Sequence, residues 1–580
     1  MRILSIALLA ALVIPAAAPL GTARGEQETK TESSLSGSAL IDYWIKAKWA
    51  DAQLKPAPRT TDVEFMRRAY LDIVGQIPSL EEAEKYLADK NSNKREKLIE
   101  SLLKDERYAD HWADIWSGVI VGFDKEQRQQ GYRNEGTHDL RELLDKNLPY
   151  DEFARKVITA EGWVPEGYKP MMMMKEEKAA EEKKPVGLAS YMVRQFREAG
   201  KDFPKAVAGK LTRAFMGVQI QCAQCHDHPF DKWTQEEFYG MASFFTEVRV
   251  KRDPKDADMR GYHVEDAMRG PVGKKLAGAG GPDLSIPDSK TGPIKPSFIE
   301  TKMGAESGVS RRTTFAKYVT SPENLQFAKM CVNRYWAHFF GSGIVNPVDD
   351  FNGKNKPTHP EMLDALAKDF IAHKYDLHWL IKALAGSEAY SLTSRSSAKE
   401  RDPQAEKLYA LGKVRALSPE QIVRSMIEAA GLDEGPMMGR RELMGKGGGA
   451  GKAGKAGKGE AAQMMLMRLT SQFRSTFDDD EGSESVDFAG TIPSALMMMN
   501  SQAIAQGTVA RPMSGFGEML SKHPTPDAKI RAIFLSCLSR LPSASESSRW
   551  MSHCTKSAGT AGYEDLMWTL LNTSEFLFNH

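Results

Sequence analysis

The chain has 580 residues, a length that predicts two to four domains at about 100–200 residues per domain. Its 78 basic and 77 acidic residues leave a net charge of +1, which excludes an overall electrostatic attraction to nucleic acid or anionic lipid. Five cysteines in this length exclude a disulfide-dense secreted scaffold.

The first residues have the pattern of a signal peptide. Arg2 precedes an apolar run at residues 3–15, and small residues follow at 16–18. We predict a signal peptide over residues 1–25 and a flexible lead over residues 26–38, with an uncleaved N-terminal anchor as the alternative. Either form places the folded chain outside the cytoplasm, as a periplasmic, cell-envelope or secreted protein. No later stretch is apolar over the length of a bilayer span, so an integral membrane protein is not expected.

Helical spacing of apolar residues continues through most of the chain and predicts a mainly α, multi-helical fold of two packed domains with long irregular loops. One helix start is marked by a capping box, in which Ser79 is followed three residues later by Glu82. Gly75 is predicted to end the helix before it. The other helices predicted in the first half are Asp62–Gly75, Arg95–Leu103, Tyr108–Trp116, Asp139–Leu144 and Tyr150–Ile158.

Changes in composition divide the chain into two predicted domains, residues 39–250 and residues 298–580. Glycine and proline are frequent between them, so residues 251–297 are predicted to form an extended connector with a short β-hairpin. A run of Met, Lys and Glu at residues 171–184 predicts a solvated loop. The second domain contains an insertion at about residues 436–486, where a repeat of Gly, Lys and Ala without a large apolar residue predicts disorder.

Cys222, Cys225 and His226 form a Cys-x-x-Cys-His motif, the sharpest chemical feature of the sequence. The two thiols can add to the vinyl groups of haem and the imidazole can bind the iron, so the motif predicts haem c. Covalent haem attachment takes place outside the cytoplasm, in agreement with the predicted signal peptide. No residue is assigned a catalytic role, and whether the protein is an enzyme stays open.

Two other states of the motif also stay open. Zinc or iron could be held directly by the two cysteines and His226, with His228 and Asp227 as alternative ligands. Asp231 would then support the ligands through hydrogen bonds. The third alternative is a plain disulfide between the two cysteines, which an oxidising compartment favours.

The other three cysteines are far apart in sequence. Cys331 lies in an apolar helical stretch and is predicted to be a buried thiol. Cys537 and Cys554 could pair in an oxidising compartment, although the sequence alone does not establish the pairing.

A second polar and aromatic group contains Arg334, His338 and His359. Arg334 and His338 are four residues apart and share one face of a predicted helix. One interpretation is a pocket facing the motif, in which Arg334 binds a haem propionate or an anionic substrate. The second iron ligand would then be His263, His338, His359 or a methionine. The other interpretation is structural, with Arg334 in a buried ion pair with a carboxylate such as Glu361.

The motif and its surroundings resemble a planctomycete family of exported, cytochrome-like proteins, domain of unknown function 1549, which is usually followed by domain 1553. The first half is similar to this family at Phe65–Asp72, Tyr108–Trp116, Asn147–Phe153 and Cys222–Phe245. The second half is similar to the companion domain at Val332–Gly341, His359–Asp364, Leu417–Gln421 and Leu571–Phe576. The resemblance covers nearly all of the chain after the signal peptide.

The resemblance implies an exported, cytochrome-like protein and no established activity. Together with the motif, it predicts an electron-transfer or redox protein of the cell envelope with an unidentified redox partner. The alternatives are a non-haem zinc or iron enzyme acting on polysaccharide, and a non-enzymatic envelope scaffold in which the cysteines form a structural bridge. The sequence predicts no nucleic-acid partner and does not indicate an oligomeric state.

Overall fold

The computed structural model describes residues 35–122, 127–165, 186–229, 231–252, 261–267, 283–287, 289–396, 401–431, 469–470, 472–473, 498–499, 502–512 and 514–580. The predicted signal peptide, the predicted loop at 171–184 and the Gly-Lys repeat of the insertion lie outside the described residues. The fold is mainly α and multi-helical with small sheets, which confirms the predicted fold class.

The helices follow one another along the chain. The first half contains α1 (Ser38–Asp51), α2 (Asp62–Ile73), α3 (Leu80–Ala88), α4 (Lys94–Leu102), α5 (Glu106–Ile120), α6 (Gln127–Asp145), α7 (Tyr150–Ile158), α8 (Ser190–Ala199), α9 (Phe203–Met216) and α10 (Gln235–Ala242). The second half contains α11 (Arg311–Val319), α12 (Leu325–Phe340), α13 (Pro360–Ala372), α14 (Leu377–Ala385), α15 (Pro403–Lys407), α16 (Pro419–Ala430), α17 (Gln502–Gly507), α18 (Gly515–Lys522), α19 (Pro526–Leu538), α20 (Ala544–Lys556), α21 (Ala561–Leu571) and α22 (Ser574–Leu577). None of the described helices combines the length and the apolar character that a membrane span needs.

Small antiparallel sheets accompany the helices in the described part of the chain. One sheet contains β1 (Gly162–Pro165), β2 (Val248–Arg252) and β3 (Gly261–Asp266), with β3 in the centre. Strand β4 (Leu284–Ser285) pairs with β5 (Pro293–Ile294), and β6 (Arg415–Ala416) pairs with β7 (Phe578–Asn579). The pair of β6 and β7 places residues 578–579 beside the start of α16.

Several helix ends follow directly from the local sequence. Ser79 accepts a hydrogen bond from the backbone N–H of Glu82, whose side chain accepts one from the N–H of Ser79, so the predicted capping box is confirmed. Gly75 follows α2 with a φ of +73°, a conformation that favours glycine. A Cβ at Gly75 would lie 2.3 Å from Nδ1 of His111, so the close approach of α2 and α5 also requires glycine.

In the described part of the chain, two large hydrophobic cores organise the helices. The larger core contains buried residues from Ile41 to Leu411 and therefore draws on both predicted domains. The smaller core is built mostly from helices after residue 417. Helix α2 lies between the cores, because Phe65 packs in the larger one and Leu71 packs in the smaller one. The boundaries of the two domains remain a prediction from the sequence.

The cysteines outside the motif are buried. Cys331 lies in α12, fully covered, which confirms the predicted buried thiol. Cys537 and Cys554 are both buried free thiols. The Sγ of Cys537 lies 3.3 Å from the Sδ of Met567, inside the smaller core.

Candidate functional site

The Cys-x-x-Cys-His motif lies between α9 and α10, in residues 221–234, which we call the motif loop. Gly217 ends α9 in a left-handed conformation with a φ of +65°. A short 3-10 helix at Gln221–Gln224 opens the loop. Thr234 closes the loop as the N-cap of α10, in a capping box with Glu237. The motif is therefore held between the ends of two regular helices.

Cys222, Cys225 and His226 are all exposed. Both cysteines are free thiols, so the two are not bridged to each other. Ala223, the residue after the first cysteine, is fully buried and belongs to the larger core. The 3-10 turn is thus anchored by its alanine, while both thiols remain accessible to a ligand from solvent.

The imidazole of His226 is oriented by the next residue of the loop. Its Nδ1 lies 2.7 Å from the backbone carbonyl oxygen of Asp227, and Nδ1 must donate because a carbonyl oxygen can only accept. In the neutral ring the free lone pair then lies on Nε2. This is the tautomer that a metal ligand bound through Nε2 requires.

The carboxylate of Asp227 contacts the start of α10. Its Oδ1 accepts a hydrogen bond of 2.8 Å from the backbone N–H of Gln235, the first residue of that helix. The side-chain amide of Gln235 donates in turn to the carbonyl oxygen of Gln224 at 3.0 Å. These two bonds join the motif to α10 on both sides of His226.

Trp233 is buried at the end of the motif loop, with 5% of its surface exposed. Its carbonyl oxygen accepts a hydrogen bond of 2.7 Å from the backbone N–H of His228, which closes the loop. The indole Nε1 of Trp233 is buried, and no described residue accepts a hydrogen bond from it. A buried donor of this kind costs free energy unless a ligand or a water accepts from it. Phe230 lies outside the described residues.

The ligands predicted for a directly bound ion do not converge. Within the described ranges, no three His, Cys, Asp or Glu side chains are grouped closely enough to hold a metal ion. Asp227 contacts α10, and the carboxylate of Asp231 accepts from the backbone N–H of the adjacent Lys232 at 2.8 Å. Both carboxylates of the predicted ligand set are therefore bonded to backbone N–H groups.

Arg334 lies at the junction of α9 and α12. Its Nη1 donates to the carbonyl oxygen of Ala214 at 2.7 Å, close to the end of α9. Its guanidinium lies over the ring of Trp116, 5.1 Å from the ring centroid. Glu361, the predicted partner of an ion pair, is exposed at the start of α13. The contacts of Arg334 brace α12 against the helix that leads into the motif loop.

The histidines of the second predicted group have other surroundings. Nε2 of His338 donates to the carbonyl oxygen of Asp72 at 2.9 Å and lies 3.5 Å from Nε2 of His111. Burial lowers the pKa of His111 and of His338. Burial also lowers the pKa of His359, which precedes α13, to about 4. His263 is exposed in β3. The described contacts of His338 join it to α2 and α5, not to the motif loop.

Sequence reasoning missed a buried polar group around Asp72, which we call the Asp72 cluster: Asp72, Tyr390, Arg415 and Asn579. The Asp72 carboxylate has no exposed surface. It accepts from the Arg415 guanidinium at 2.7 and 2.9 Å, from the Tyr390 hydroxyl at 2.8 Å and from the Asn579 amide at 2.8 Å. The available signal was the five charged residues among the twelve of α2, but the partners of the Asp72 carboxylate are 318 to 507 residues away.

Family comparisons match both halves of the chain. The model described as PSCyt2, protein of unknown function (DUF1549), matches residues 40–250. The model described as PSD1, protein of unknown function (DUF1553), matches residues 311–554. The first match includes α2 and the motif loop, and the second includes α12. No curated protein and no solved structure matches the chain.

Proposed function

The chain belongs to the proteins that carry a PSCyt2 (DUF1549) domain followed by a PSD1 (DUF1553) domain, and we propose that it is an exported electron carrier with haem c attached to its motif loop. One observation carries the proposal. Cys222 and Cys225 present two exposed free thiols next to His226, whose Nδ1 is bonded to a carbonyl so that Nε2 is left to bind iron. The predicted signal peptide supports export to a compartment where covalent attachment takes place.

The donor set suits covalent attachment of a haem. Each thiol of Cys222 and Cys225 can add across one vinyl double bond, so that sulfur bonds to one vinyl carbon and the thiol hydrogen goes to the other. No group leaves and no oxidant is consumed in this step. Addition requires thiols that are free and accessible, and both cysteines meet this condition. Once bound, haem would supply one-electron redox chemistry.

Trp233 offers a second feature that suits this ligand. Its buried Nε1 donor has no partner among the described residues, and it belongs to the same loop as the thiols. Haem carries two propionate carboxylates, and a hydrogen bond from N–H to a carboxylate is stronger than one to a neutral acceptor. The Trp233 N–H would be available to donate to a propionate oxygen of a bound haem. This contact would satisfy the donor that the protein alone leaves unsatisfied.

The exposure of the motif favours electron transfer over conversion of a small substrate. A substrate site is usually a concave pocket with convergent polar groups. Two cavities of the described structure, of about 420 Å³ and about 340 Å³, are lined by other residues. An exposed motif leaves the bound group accessible to a redox partner, and an electron needs no enclosed pocket.

The full-length chain, exported by a bacterial host that attaches haem to Cys-x-x-Cys-His motifs, tests the proposal. We expect a Soret absorption band and an intact mass that includes one covalently bound haem. The Cys222→Ala/Cys225→Ala variant should lose both signals completely, whereas the matched Cys554→Ala variant should keep both. Trp233→Phe should keep the covalent haem and change its reduction potential, because the donor to the propionate is lost.

Three results would overturn the proposal. The first is a wild-type protein without haem mass or Soret band. The second is a stoichiometric non-haem zinc or iron that disappears in the double cysteine variant, which would favour the metal-enzyme alternative. The third is a disulfide between Cys222 and Cys225 in the exported protein, which would favour the scaffold alternative.

A further inference from the structure

We infer that Asp227 and Gln235 are positioning residues that fix the orientation and the tautomer of His226. The proposal rests on the proposed function for its consequence at iron, but its geometry exists without haem. Three bonds carry it. Nδ1 of His226 donates to the Asp227 carbonyl at 2.7 Å, the N–H of Gln235 donates to the Asp227 carboxylate at 2.8 Å, and the Gln235 amide donates to the Gln224 carbonyl at 3.0 Å.

The imidazole of His226 is exposed, so the hydrogen bond of its Nδ1 is an important constraint on its ring orientation. The only acceptor described for its Nδ1 is the Asp227 carbonyl. Rotation of this one peptide group would release the ring and allow the other tautomer. The position of the Asp227 backbone therefore decides which nitrogen is available to a ligand.

The Asp227 backbone is fixed by the start of α10. The backbone N–H groups of the first helical turn have no partner within the helix, and the helix dipole favours a negative charge there. The Asp227 carboxylate binds the N–H of Gln235, the first residue of the helix. The Gln235 side chain reaches back to Gln224, between the two cysteines in sequence. One helix end therefore holds the loop on both sides of His226.

The helix does not depend on Asp227 for its own start. Thr234 caps α10 by accepting from the N–H of Glu237, and the Glu237 carboxylate accepts from the N–H of Thr234. Loss of the Asp227 carboxylate should therefore free the loop and leave α10 in place. Asp231 is a matched control because it is also in the loop and its carboxylate accepts only from the adjacent Lys232 in the described contacts.

The first test uses the haem-free full-length chain with ¹⁵N-labelled histidine, at pH 8, where an ordinary imidazole is neutral. The His226→Gln spectrum assigns the His226 ring nitrogens. In the wild type, the ¹⁵N shifts of His226 should be those of the Nδ1–H tautomer. Asp227→Ala should move them towards an average of both tautomers. Asp227→Asn keeps a side-chain oxygen for Gln235 and should restore the wild-type shifts, and Asp231→Ala should not change them.

The second test uses the haem-loaded protein. A hydrogen bond from Nδ1 makes the imidazole a more basic ligand and favours the oxidised iron. Asp227→Ala should therefore raise the reduction potential relative to wild type and to Asp231→Ala, with covalent haem retained. Gln235→Ala should shift the potential in the same direction by a smaller amount, because it removes the side-chain bond and keeps the backbone N–H.

The two tests separate the two proposals. Wild-type shifts of His226 in haem-free Asp227→Ala would overturn the positioning role, whatever the result for haem. An unchanged potential in haem-loaded Asp227→Ala would overturn it as well. Absence of haem from the wild type would overturn the proposed function, and the tautomer measurement would still decide the role of Asp227.

Discussion

The Asp72 cluster and the motif loop use polar side chains in opposite ways. In the Asp72 cluster, a fully buried carboxylate receives four hydrogen bonds from three residues of other segments. In the motif loop, Cys222, Cys225 and His226 are exposed, and the described hydrogen bonds of His226 and Asp227 are to residues at most eight positions away. In the first region, side chains of the protein donate to the Asp72 carboxylate, and the second region presents thiols and an imidazole to solvent.

The difference separates a structural motif from a chemical one. Both regions stand out in the sequence, since Phe65–Asp72 and Cys222–Phe245 carry the family resemblance. A buried charge is stable only when it is paired, so the Asp72 cluster holds α2 against the end of the chain. An exposed thiol or imidazole contributes little to the free energy of unfolding. Burial and partner atoms, not prominence in the sequence, therefore favour the motif loop over the Asp72 cluster as the candidate site.

The largest effect is expected from Asp72→Asn. The change keeps the side-chain shape and leaves the partly buried guanidinium of Arg415 without its carboxylate, which should lower the free energy of unfolding by about 3 kcal/mol. Urea unfolding followed by circular dichroism measures the loss. Asp231→Asn, in the motif loop, is the matched control and should stay within about 0.5 kcal/mol of wild type.

If Asp72→Asn does not yield folded protein, Asn579→Ala tests the same cluster more gently. It removes one neutral donor to the Asp72 carboxylate and should cost about 1 kcal/mol. Wild-type stability in both variants would show that the cluster does not hold α2, and the contrast with the motif loop would be lost.

A smaller loss of stability is expected when the pH is lowered. Burial lowers the pKa of His359 from 6.5 to about 4. Between pH 6.5 and pH 4, His359 therefore binds a proton in the unfolded chain but not in the folded chain. The stability from His359 is complete above pH 6.5 and is lost as the pH falls towards 4. The loss has an upper limit of about 3 kcal/mol. Burial of His111 and His338 acts in the same direction.

Urea unfolding between pH 8 and pH 4.5 measures this dependence. His359→Gln carries no charge at any of these pH values, so its stability should fall less steeply than that of the wild type below pH 6.5. Above pH 6.5 the difference in free energy of unfolding between the variant and the wild type should not change with pH. Parallel curves over the whole range would contradict the assignment of this pH dependence to His359.

Local features of the fold could be predicted from the sequence. Tyr150–Ile158 forms a helix with the predicted limits, and the capping box of Ser79 and Glu82 is present. Each depends on residues within a few positions of one another. The pairing of β1 with β3 joins residues about a hundred positions apart, such as Gly162 and Val264, and periodicity carries no information about such pairs.

The sequence predicts the residues of the Cys-x-x-Cys-His motif, but it does not predict the contacts around them. The spacing of Cys222, Cys225 and His226 predicts a donor set, because the motif is contiguous. One of the two interpretations of the sequence placed Arg334 in a pocket facing the motif, and the described contacts of Arg334 include Ala214 and Trp116. The sequence also predicts Asp227 as an alternative metal ligand, and only the structure shows its carboxylate at the start of α10. Side-chain direction depends on packing between distant segments, which composition and spacing do not encode.

The smallest effect on the free energy of unfolding is expected from substitution of the two motif cysteines. Cys222→Ser/Cys225→Ser changes two exposed thiols, so the haem-free protein should stay within about 0.5 kcal/mol of wild type in urea unfolding. Cys537→Ser makes the same chemical change in the smaller core and buries a hydroxyl, which should cost about 1–3 kcal/mol. The ratio of the two losses measures the contrast between a buried and an exposed cysteine directly. A loss above about 1 kcal/mol in the double variant would mean that the motif stabilises the fold, as the scaffold alternative requires.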